Sequence, residues 1–286
     1  MAGGLKGLIR KGGALVVPGA FDAASALLVE KAGFKAFYVS GAGVSNSSGL
    51  PDAGLLPRDE VARIASYMIK AVDIPAIVDC DTGFGGPEET GGTVALFEDL
   101  GAKAVQIEDQ RYPKRCGHLP GKEVVPMVEF AEKIEAAARA RKSNEFIIIA
   151  RTDAYAVEGI ESAIARGRLY AEAGADVIFP EALTTRDEFE YYASEVRAPL
   201  MANMTEFGRT PYFTVDEFKE MGYSMVVFPM TAFRAAMKAV ESALFEIRDK
   251  GTQAGILDTL QTRAELYELL KYRGFEPPAG TGTKTV

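Results

Sequence analysis

Short apolar segments rich in Val, Ile and Phe recur along the whole chain, and an amphipathic stretch follows each of them. None of the segments alternates cleanly between apolar and polar residues. This pattern is typical of strands that are buried on both faces of a parallel sheet. The eight predicted strands are residues 14–20, 36–42, 76–83, 104–110, 146–154, 176–182, 199–206 and 225–232.

Helices are predicted between the strands, because apolar residues recur there at helical spacing. Glycines at 33, 101, 174 and 222 precede the next strand, where glycine supplies the left-handed residue that ends a helix. Eight strand–helix units in roughly 240 residues predict an α/β fold, a (β/α)8 barrel of the TIM type. Periodicity alone leaves a doubly wound open sheet as the alternative. The predicted helices are residues 21–31, 58–72, 88–100, 127–141 and 160–173.

The barrel is predicted to cover residues 1–245, and a C-terminal helical arm is predicted over residues 246–275. We expect the Gly- and Thr-rich residues 276–286 to be a flexible tail. No apolar run reaches the roughly 18 residues that span a bilayer. The N-terminal sequence has positive charges but no apolar core of a secretory signal, so we expect a cytoplasmic protein.

Composition narrows the function further. The net charge of -8 argues against nucleic acid and against anionic membrane surfaces as partners. Two cysteines, Cys80 and Cys116, are too few for a disulfide framework and suit a reducing compartment. The single histidine, His118, excludes His-rich zinc sites and is the one residue that any Ser-His-Asp triad could use.

Polar residues concentrate at the predicted C-terminal ends of the strands, which is where barrel enzymes carry their active sites. Asp79 and Asp81 are two positions apart, so strand geometry predicts that both face the barrel mouth while Cys80 faces away. Two such carboxylates need a cation between them, and with Glu108 nearby the oxygen ligands favour Mg²⁺. The strand-end residues are Tyr38, Ser40, Gly41, Asp79, Asp81, Gln106, Glu108, Asp109, Arg151, Asp153, Glu181, Asn203 and Thr205, with Arg234 after the last strand.

Other cofactors and chemistries are disfavoured. The Gly-Ala-Gly sequence at 41–43 lacks the third glycine of a dinucleotide fingerprint, and no phosphate-binding GxxxxGK[ST] sequence occurs. No lysine ends a predicted strand, which argues against a Schiff-base aldolase. The loop sequence KRCGH instead places Cys116 between cations, so we expect a lowered thiol pKa and proton exchange near neutral pH.

Taken together, these motifs resemble those of the isocitrate lyase and phosphoenolpyruvate mutase superfamily, over nearly the whole chain. Within it, they are most similar to those of enzymes that cleave 2-methylisocitrate. The motifs are SGAGV at 40–44, VDCDTGFG at 78–85, IEDQ at 107–110, KRCGH at 114–118, ARTDA at 150–154, FPEA at 179–182, NMTEFG at 203–208, AFR at 232–234 and the C-terminal sequence at 251–272.

The resemblance implies a Mg²⁺-dependent carbon–carbon lyase, with Mn²⁺ as a substitute, that splits 2-methylisocitrate into pyruvate and succinate. Cys116 would be the proton donor, and Tyr38 is our candidate base, with a metal-bound water or Glu181 as alternatives. The implied metal residues are Asp79 as ligand, with Asp81, Glu108 and Asp52 holding its waters. The implied substrate-binding residues are Ser40, Gly41, Ala42, Gly117, His118, Arg151, Glu181, Asn203, Thr205 and Arg234.

The resemblance also implies a homotetramer in which C-terminal helices exchange between neighbours. Phe179, Val227 and Pro229 are expected to form the apolar wall that receives the methyl group. Two residues depart from the family pattern: Gln106 stands where a histidine is usual, and Ala42 where glycine is common. Gln106 keeps a carboxyvinyl-carboxyphosphonate phosphonomutase as the first alternative, followed by a 2,3-dimethylmalate lyase or an oxaloacetate decarboxylase.

Overall fold

Eight parallel strands and the helices between them build the first part of the molecule, in a computed structural model that describes residues 4–272. Each strand lies inside the apolar segment that predicted it and is shorter, because the end of each segment already belongs to the loop or helix that follows. The strands are β1 (Leu15–Ala20), β2 (Phe37–Val39), β3 (Ala76–Asp79), β4 (Ala104–Glu108), β5 (Ile147–Thr152), β6 (Val177–Pro180), β7 (Met201–Asn203) and β8 (Met225–Phe228).

The strands follow one another around a barrel, which confirms the predicted TIM-type fold and excludes the open doubly wound sheet. Their order is β6-β5-β4-β3-β2-β1-β8-β7. The ring is completed between β6 and β7 by a parallel bridge between Ile178 and Leu200. All eight C-terminal strand ends therefore meet at one mouth, as the argument from the polar strand ends requires.

Twelve α-helices occur in residues 4–272. Glycines 33, 101, 174 and 222 have φ values of 88°, 98°, 112° and 92°, which confirms their predicted role as helix-ending residues. The helices are α1 (Leu5–Arg10), α2 (Ala23–Lys31), α3 (Gly41–Ser47), α4 (Arg58–Ala71), α5 (Pro87–Asp99), α6 (Met127–Ala140), α7 (Tyr155–Glu158), α8 (Ile160–Glu172), α9 (Arg186–Glu195), α10 (Val215–Glu220), α11 (Thr231–Lys250) and α12 (Arg263–Leu269).

Helix α1, which the sequence pattern did not predict, closes the floor of the barrel. Leu5 and Ile9 are buried and belong to the same apolar cluster as the barrel-lining residues Val17, Ile77 and Ile147. Lys6 fixes the helix from outside, because its ammonium donates to Asp176 Oδ1 at 3.2 Å. The barrel interior is thus filled with side chains from its floor upwards.

The chain divides into two compact units, Met1–Lys238 and Ala239–Val286, and the boundary falls inside α11. The second unit contains the end of α11, a short 3-10 helix (Ala254–Thr259) and α12, whose first turn is capped by Thr262. The predicted tail over residues 276–286 lies outside the described residues. None of the described helices is long and apolar enough to cross a membrane.

Candidate active site

The C-terminal strand ends surround a small cavity of about 60 Å³. Such a volume holds only a few water molecules, so the loops above the mouth are closed over it. Most of the site residues predicted from the sequence line the cavity. Its lining consists of Tyr38, Ser40, Ala42, Asp52, Asp79, Lys114, Cys116, Gly117, His118, Arg151, Phe179, Glu181, Asn203, Thr205, Val227, Pro229 and Met230.

Asp79 and Asp81 lie together at the mouth, but strand alternation is the wrong reason for it. Strand β3 ends at Asp79, and Asp81 belongs to the following turn with a φ of 47°. The turn folds back so that the Asp81 amide donates to Asp79 Oδ1 at 3.2 Å. Cys80 faces away into the outer apolar core, as predicted. Burial, reinforced by the charge of Asp81, raises the pKa of Asp79 to about 6.

Lys114 places a positive charge inside this acidic cluster. Its ammonium contacts Asp52 and lies 2.7 Å from Asp81 Oδ1, and its side chain is almost fully buried. Burial alone would lower the pKa of Lys114, but the surrounding carboxylates, Asp81 and Glu108 first, raise it well above its ordinary value. The sequence marked Lys114 only as a loop charge, because its acidic partners are far away along the chain.

Glu108 is the clearest sign that the cluster is built for a cation. Both of its carboxylate oxygens are buried and accept no hydrogen bond, and its nearest cation is Arg151 Nη1 at 3.5 Å. Burial raises the pKa of Glu108 well above its ordinary value. A buried carboxylate without donors is costly unless a positive charge or bound water meets it.

The acidic cluster therefore fits a hydrated divalent ion. Within residues 4–272, no three His, Cys, Asp or Glu side chains converge closely enough to bind one ion directly. Mg²⁺ commonly uses one or two carboxylates and keeps several waters, which agrees with Asp79 as ligand and with Asp81, Glu108 and Asp52 around it.

Arg151, at the end of β5, is held rigidly in the cavity wall. Its Nε and Nη2 donate to the two oxygens of Asp153 at 2.9 Å and 3.0 Å, and Nη1 lies 3.2 Å from Glu181 Oε2. The guanidinium also lies over the ring of Phe179, at 5.4 Å from its centre. Asp153 occupies the Nε and Nη2 fork and fixes the plane of the guanidinium, which leaves Nη1 and the second hydrogen of Nη2 as the donors that a substrate carboxylate could use.

Glu181 and His118 form a hydrogen-bonded pair in the cavity. His118 Nδ1 accepts from the Arg209 amide at 3.0 Å, so Nε2 carries the proton and points at Glu181 Oε1, 3.1 Å away. Burial by itself would raise the pKa of Glu181, but Arg151 and His118 hold it well below its ordinary value. Asn203 Nδ2 also donates to both Glu181 oxygens, at 3.3 Å and 3.2 Å.

Cys116 lies in the cavity lining, but its thiol pKa is raised, which is contrary to the expectation from its cationic neighbours. The cause is burial, which outweighs the lowering effect of the His118 backbone amide. Lys114 does not act on the thiol because its ammonium is turned toward Asp52 and Asp81. The thiol therefore keeps its proton at neutral pH, which suits a proton donor.

Gly117 explains how the loop approaches the barrel so closely. A methyl group added to its Cα would lie 2.3 Å from Arg151 Nη2 and 2.6 Å from Glu181 Cγ. Only a residue without a side chain fits at this point of the closed loop. Gly41 is similarly restricted, because an added methyl group would lie 2.8 Å from Asp79 Oδ2.

Tyr38 is fully buried beside the cavity and donates a hydrogen bond of 2.5 Å to Gln106 Oε1. Burial and the charge of Asp79 raise its pKa well above the ordinary value, while Arg151 opposes them. The other side of the Gln106 amide, Nε2, is buried and has no hydrogen-bond acceptor. Ser40 caps α3 by accepting from the Gly43 amide at 3.1 Å.

Arg234 is a predicted site residue that the structure places outside the cavity lining. It does not line the cavity, its side chain is 46% exposed, and its Nε lies 3.6 Å from Glu206 Oε2. Of the residues implied to bind substrate or metal, Gly41, Asp81 and Glu108 also do not line the cavity. All three lie close behind the lining. The amides of Gly41 and Asp81 both donate to Asp79 at 3.2 Å, and Glu108 Oε2 lies 3.5 Å from Arg151 Nη1.

Sequence reasoning did not assign a role to Asp153, although it belongs to the ARTDA motif. Its amide donates to Asp109 Oδ1 at 2.9 Å, and Asp109 in turn accepts from Thr152, Arg166 and Tyr170. This buried network fixes the end of β5, which carries Arg151. The sequence Arg-Thr-Asp by itself does not predict the ion pair between Arg151 and Asp153. It does so only when both side chains are known to face the barrel interior.

Known proteins share both sequence and fold with this chain. A 2-methylisocitrate lyase of Aeropyrum pernix is 52% identical over 272 residues, which cover 95% of this chain and 88% of the relative. A crystal structure of 2,3-dimethylmalate lyase, described as a member of the PEP mutase/isocitrate lyase superfamily, matches with a TM-score of 0.88 at 34% identity. That match covers 93% of this chain and 89% of the other.

A phosphonopyruvate hydrolase in complex with oxalate and Mg²⁺ matches with a TM-score of 0.85 at 31% identity, covering 93% of each chain. The phosphoenolpyruvate phosphomutase family model matches residues 5–248, which include all eight strands. The match therefore spans the barrel, the acidic cluster and the Cys116 loop, and the chain belongs to the phosphoenolpyruvate mutase and isocitrate lyase family.

Proposed function

We propose that the protein is a divalent-metal-dependent carbon–carbon lyase that cleaves 2-methylisocitrate into pyruvate and succinate. The observation that carries the proposal is the convergence of the Cys116 thiol, the Arg151–Glu181 pair and Asp79 on one cavity. The 52% identity to a relative of that name over most of the chain supports the same reaction.

The charges of the cavity suit an anionic hydroxy acid. Three substrate carboxylates require fixed cations or donors, and Arg151, Lys114 and His118 all line the cavity. We assign Arg151 to one carboxylate, and Ser40, Asn203 and Thr205 to the remaining polar contacts. Arg234 is the residue that we expect to join only after the loop near Glu206 rearranges.

The reaction needs one proton removed and one delivered. Loss of the C2 hydroxyl proton turns that carbon into the ketone of pyruvate, and the electron pair of the C2–C3 bond remains on C3 of the succinate fragment. Cys116 then delivers its proton to C3, so that the two products together have the composition of the substrate. Burial keeps the thiol protonated for this step.

Tyr38 is our proposed base, since its phenol lies at the cavity and is oriented by Gln106. Burial and the charge of Asp79 hold the pKa of Tyr38 well above its ordinary value, and Arg151 opposes them only in part. A cation bound at Asp79 would further favour the phenolate by offsetting that carboxylate charge. Glu181 is ionised but strongly held by Arg151 and His118, which makes it a weaker acceptor.

Members of this family generally depend on a divalent metal, and the acidic cluster fits one because both oxygens of the buried Glu108 accept no hydrogen bond. We propose Mg²⁺, with Mn²⁺ as a substitute, held by Asp79 with Asp81, Glu108 and Asp52 around its waters. When bound, the ion supplies Lewis-acid stabilisation of the oxygens of the hydroxy acid and the keto acid. Removal of the metal with EDTA is expected to abolish turnover, and added Mg²⁺ to restore it.

The apolar wall of the cavity is consistent with a methyl-bearing substrate. Phe179, Val227 and Pro229 all line the cavity, together with Met230. We propose that this wall receives the methyl group, which is worth about 1–3 kcal/mol, or roughly 10- to 200-fold, in discrimination.

The deciding experiment measures pyruvate release from 2-methylisocitrate and glyoxylate release from isocitrate side by side, with Mg²⁺ present. We expect pyruvate release to be faster by roughly the factor above. The absence of pyruvate would refute the proposal. The second candidate substrate is 2,3-dimethylmalate, a smaller hydroxy acid, because 2,3-dimethylmalate lyase has a similar fold. It is therefore tested in the same assay. Faster pyruvate release from it would reassign the substrate.

We further propose a cytoplasmic homotetramer in which C-terminal arms exchange between subunits. The first unit has an apolar groove of about 590 Å³ lined by residues such as Leu28, Phe34 and Phe228. The second unit exposes large apolar side chains, which would be costly in a monomer. These are Val240, Leu244, Phe245, Ile247, Leu257, Leu260, Leu266 and Leu270. Light scattering is expected to give a tetramer for the full chain and a smaller species after deletion of residues 251–286.

A further inference from the structure

The loop that carries Cys116 connects β4 to α6 and is closed at its base. Gln110 and Val124 form an antiparallel bridge, and the Arg111 amide donates to the Glu123 carbonyl at 2.8 Å. These bonds fix where the loop leaves the barrel. They do not hold the tip of the loop, which must be anchored separately if Cys116 is to stay over the cavity.

Lys122 anchors the tip from inside the protein, although lysine is seldom fully buried. Its side chain is only 1% exposed. The ammonium donates to the Gly117 carbonyl at 2.5 Å and to Asp153 Oδ1 at 2.7 Å. The bond to the Gly117 carbonyl holds the backbone directly after Cys116. The bond to Asp153 joins that backbone to the barrel, because Asp153 directly follows the last residue of β5.

Asp153 is shared between this anchor and the substrate-binding arginine. The same carboxylate accepts two hydrogen bonds from Arg151. Although burial alone would raise the pKa of Asp153, Arg151 and Lys122 together lower it. If Lys122 leaves with an opening loop, a buried carboxylate loses one of its two cations, which is a costly state.

The other buried lysine of the loop, Lys114, is a different kind of contact. It binds Asp52 and Asp81, which belong to the proposed metal site. A cation that binds these acids would compete with Lys114. The partners of Lys122 lie outside that cluster, so its contacts can persist whether or not the metal is bound.

We propose that Lys122 is a positioning residue that closes the Cys116 loop and sets the orientation of Arg151 through their common partner Asp153. Loop closure and the geometry of the carboxylate-binding fork are then one event: the proton donor arrives only when Arg151 is held in place. This inference rests on the proposed function for its kinetic consequences, but its structural consequence can be measured without any substrate.

The first test is the rate at which iodoacetamide alkylates Cys116 in the Mg²⁺-loaded protein. Cys80 is completely buried, and the C116S variant gives the background rate. We expect K122M to react about tenfold to hundredfold faster, as for loss of a hydrogen bond to a charged group. The matched control is R111M, which removes a cation of the same loop that is exposed and pairs with exposed Glu123. It is expected to react at the wild-type rate.

The second test separates positioning from stability. K122M is expected to lower kcat far more than it changes KM. Its Tm is expected to fall as well, because the buried Asp153 keeps only one of its two cations, so the kinetics of wild type and K122M are compared well below the Tm of the variant. An equal alkylation rate in K122M and the wild type would overturn the proposal, whatever the substrate proves to be. If K122M is alkylated at the wild-type rate and the wild type has no lyase activity, both the proposed function and the loop anchor are refuted. If K122M is alkylated faster and the wild type has no lyase activity, only the proposed function is refuted.

A measurement on the unmodified protein covers the case in which K122M does not fold. Lys122 and Cys116 should become accessible in the same opening event, so acetic anhydride labelling of Lys122 and alkylation of Cys116 should slow down together when succinate and pyruvate are added. If succinate and pyruvate protect Cys116 but leave the labelling rate of Lys122 unchanged, the two residues do not become accessible in the same opening of the loop, and the proposal is refuted.

Discussion

The close approach of Gly117 to the barrel gives the sharpest prediction, the effect of Gly117→Ala. The added methyl group would lie 2.3 Å from Arg151 Nη2 and 2.6 Å from Glu181 Cγ, well inside van der Waals contact. Both neighbours are held by ion pairs and cannot easily move. The loop must therefore lift away from the barrel.

Overpacking of this kind costs about 1–3 kcal/mol. If that cost falls on the closed state, kcat/KM for pyruvate release drops by about tenfold to hundredfold. Stability should change less, because the loop can relieve the contact by opening. A coupled assay with lactate dehydrogenase measures the first quantity and thermal unfolding the second.

Gly13→Ala is the matched control, since its added methyl group would meet no atom within 4 Å. Gly117 does not have a positive φ, so backbone conformation alone does not require glycine there. An activity of the Gly117→Ala variant equal to that of Gly13→Ala would show that the loop does not close as described, and the argument from contact distances would fail.

Three further results are expected. Cys116→Ser should lower kcat by about 10²–10⁴-fold without lowering Tm, as loss of a proton donor does; undiminished turnover would remove the acid role. Because burial raises the thiol pKa, the pH midpoint for alkylation of Cys116 should lie above about 8.5, the value for a free thiol; a midpoint below it would contradict the described burial. Tyr170→Phe removes a buried hydroxyl that donates to Asp109 at 2.9 Å, and should lower Tm by about 2–4 °C per kcal/mol lost; an unchanged Tm would show that this bond contributes nothing.

The strand and helix pattern of the barrel could be predicted from the sequence, because local signals carry it. Buried parallel strands are apolar throughout, and glycine ends four of the helices in the left-handed conformation. Helix α1 could not be predicted in this way. With six residues, of which Leu5 and Ile9 are buried, it is too short to show a helical period, and it is held by contacts with the barrel floor.

The sequence predicted which residues lie at the candidate site, but not which residues contact one another there. The sequence correctly placed Cys116 and Asp79 at one mouth, but the pKa of Cys116 was expected to fall and is raised. Charges adjacent in sequence do not control a side chain when they turn toward other partners, as Lys114 does toward Asp52. Pairings such as Lys122 with Asp153 join residues 31 positions apart, and only the fold reveals them.

The floor built by α1 has a consequence for the order in which products depart. Because Leu5 and Ile9 close the barrel from below, we expect substrate and products to pass through the mouth, beneath the Cys116 loop. Both products must then leave through the same opening by which the substrate entered. The fragment bound deeper is trapped until the outer one has gone, so turnover is expected to show ordered release, with the inner product acting as a competitive inhibitor.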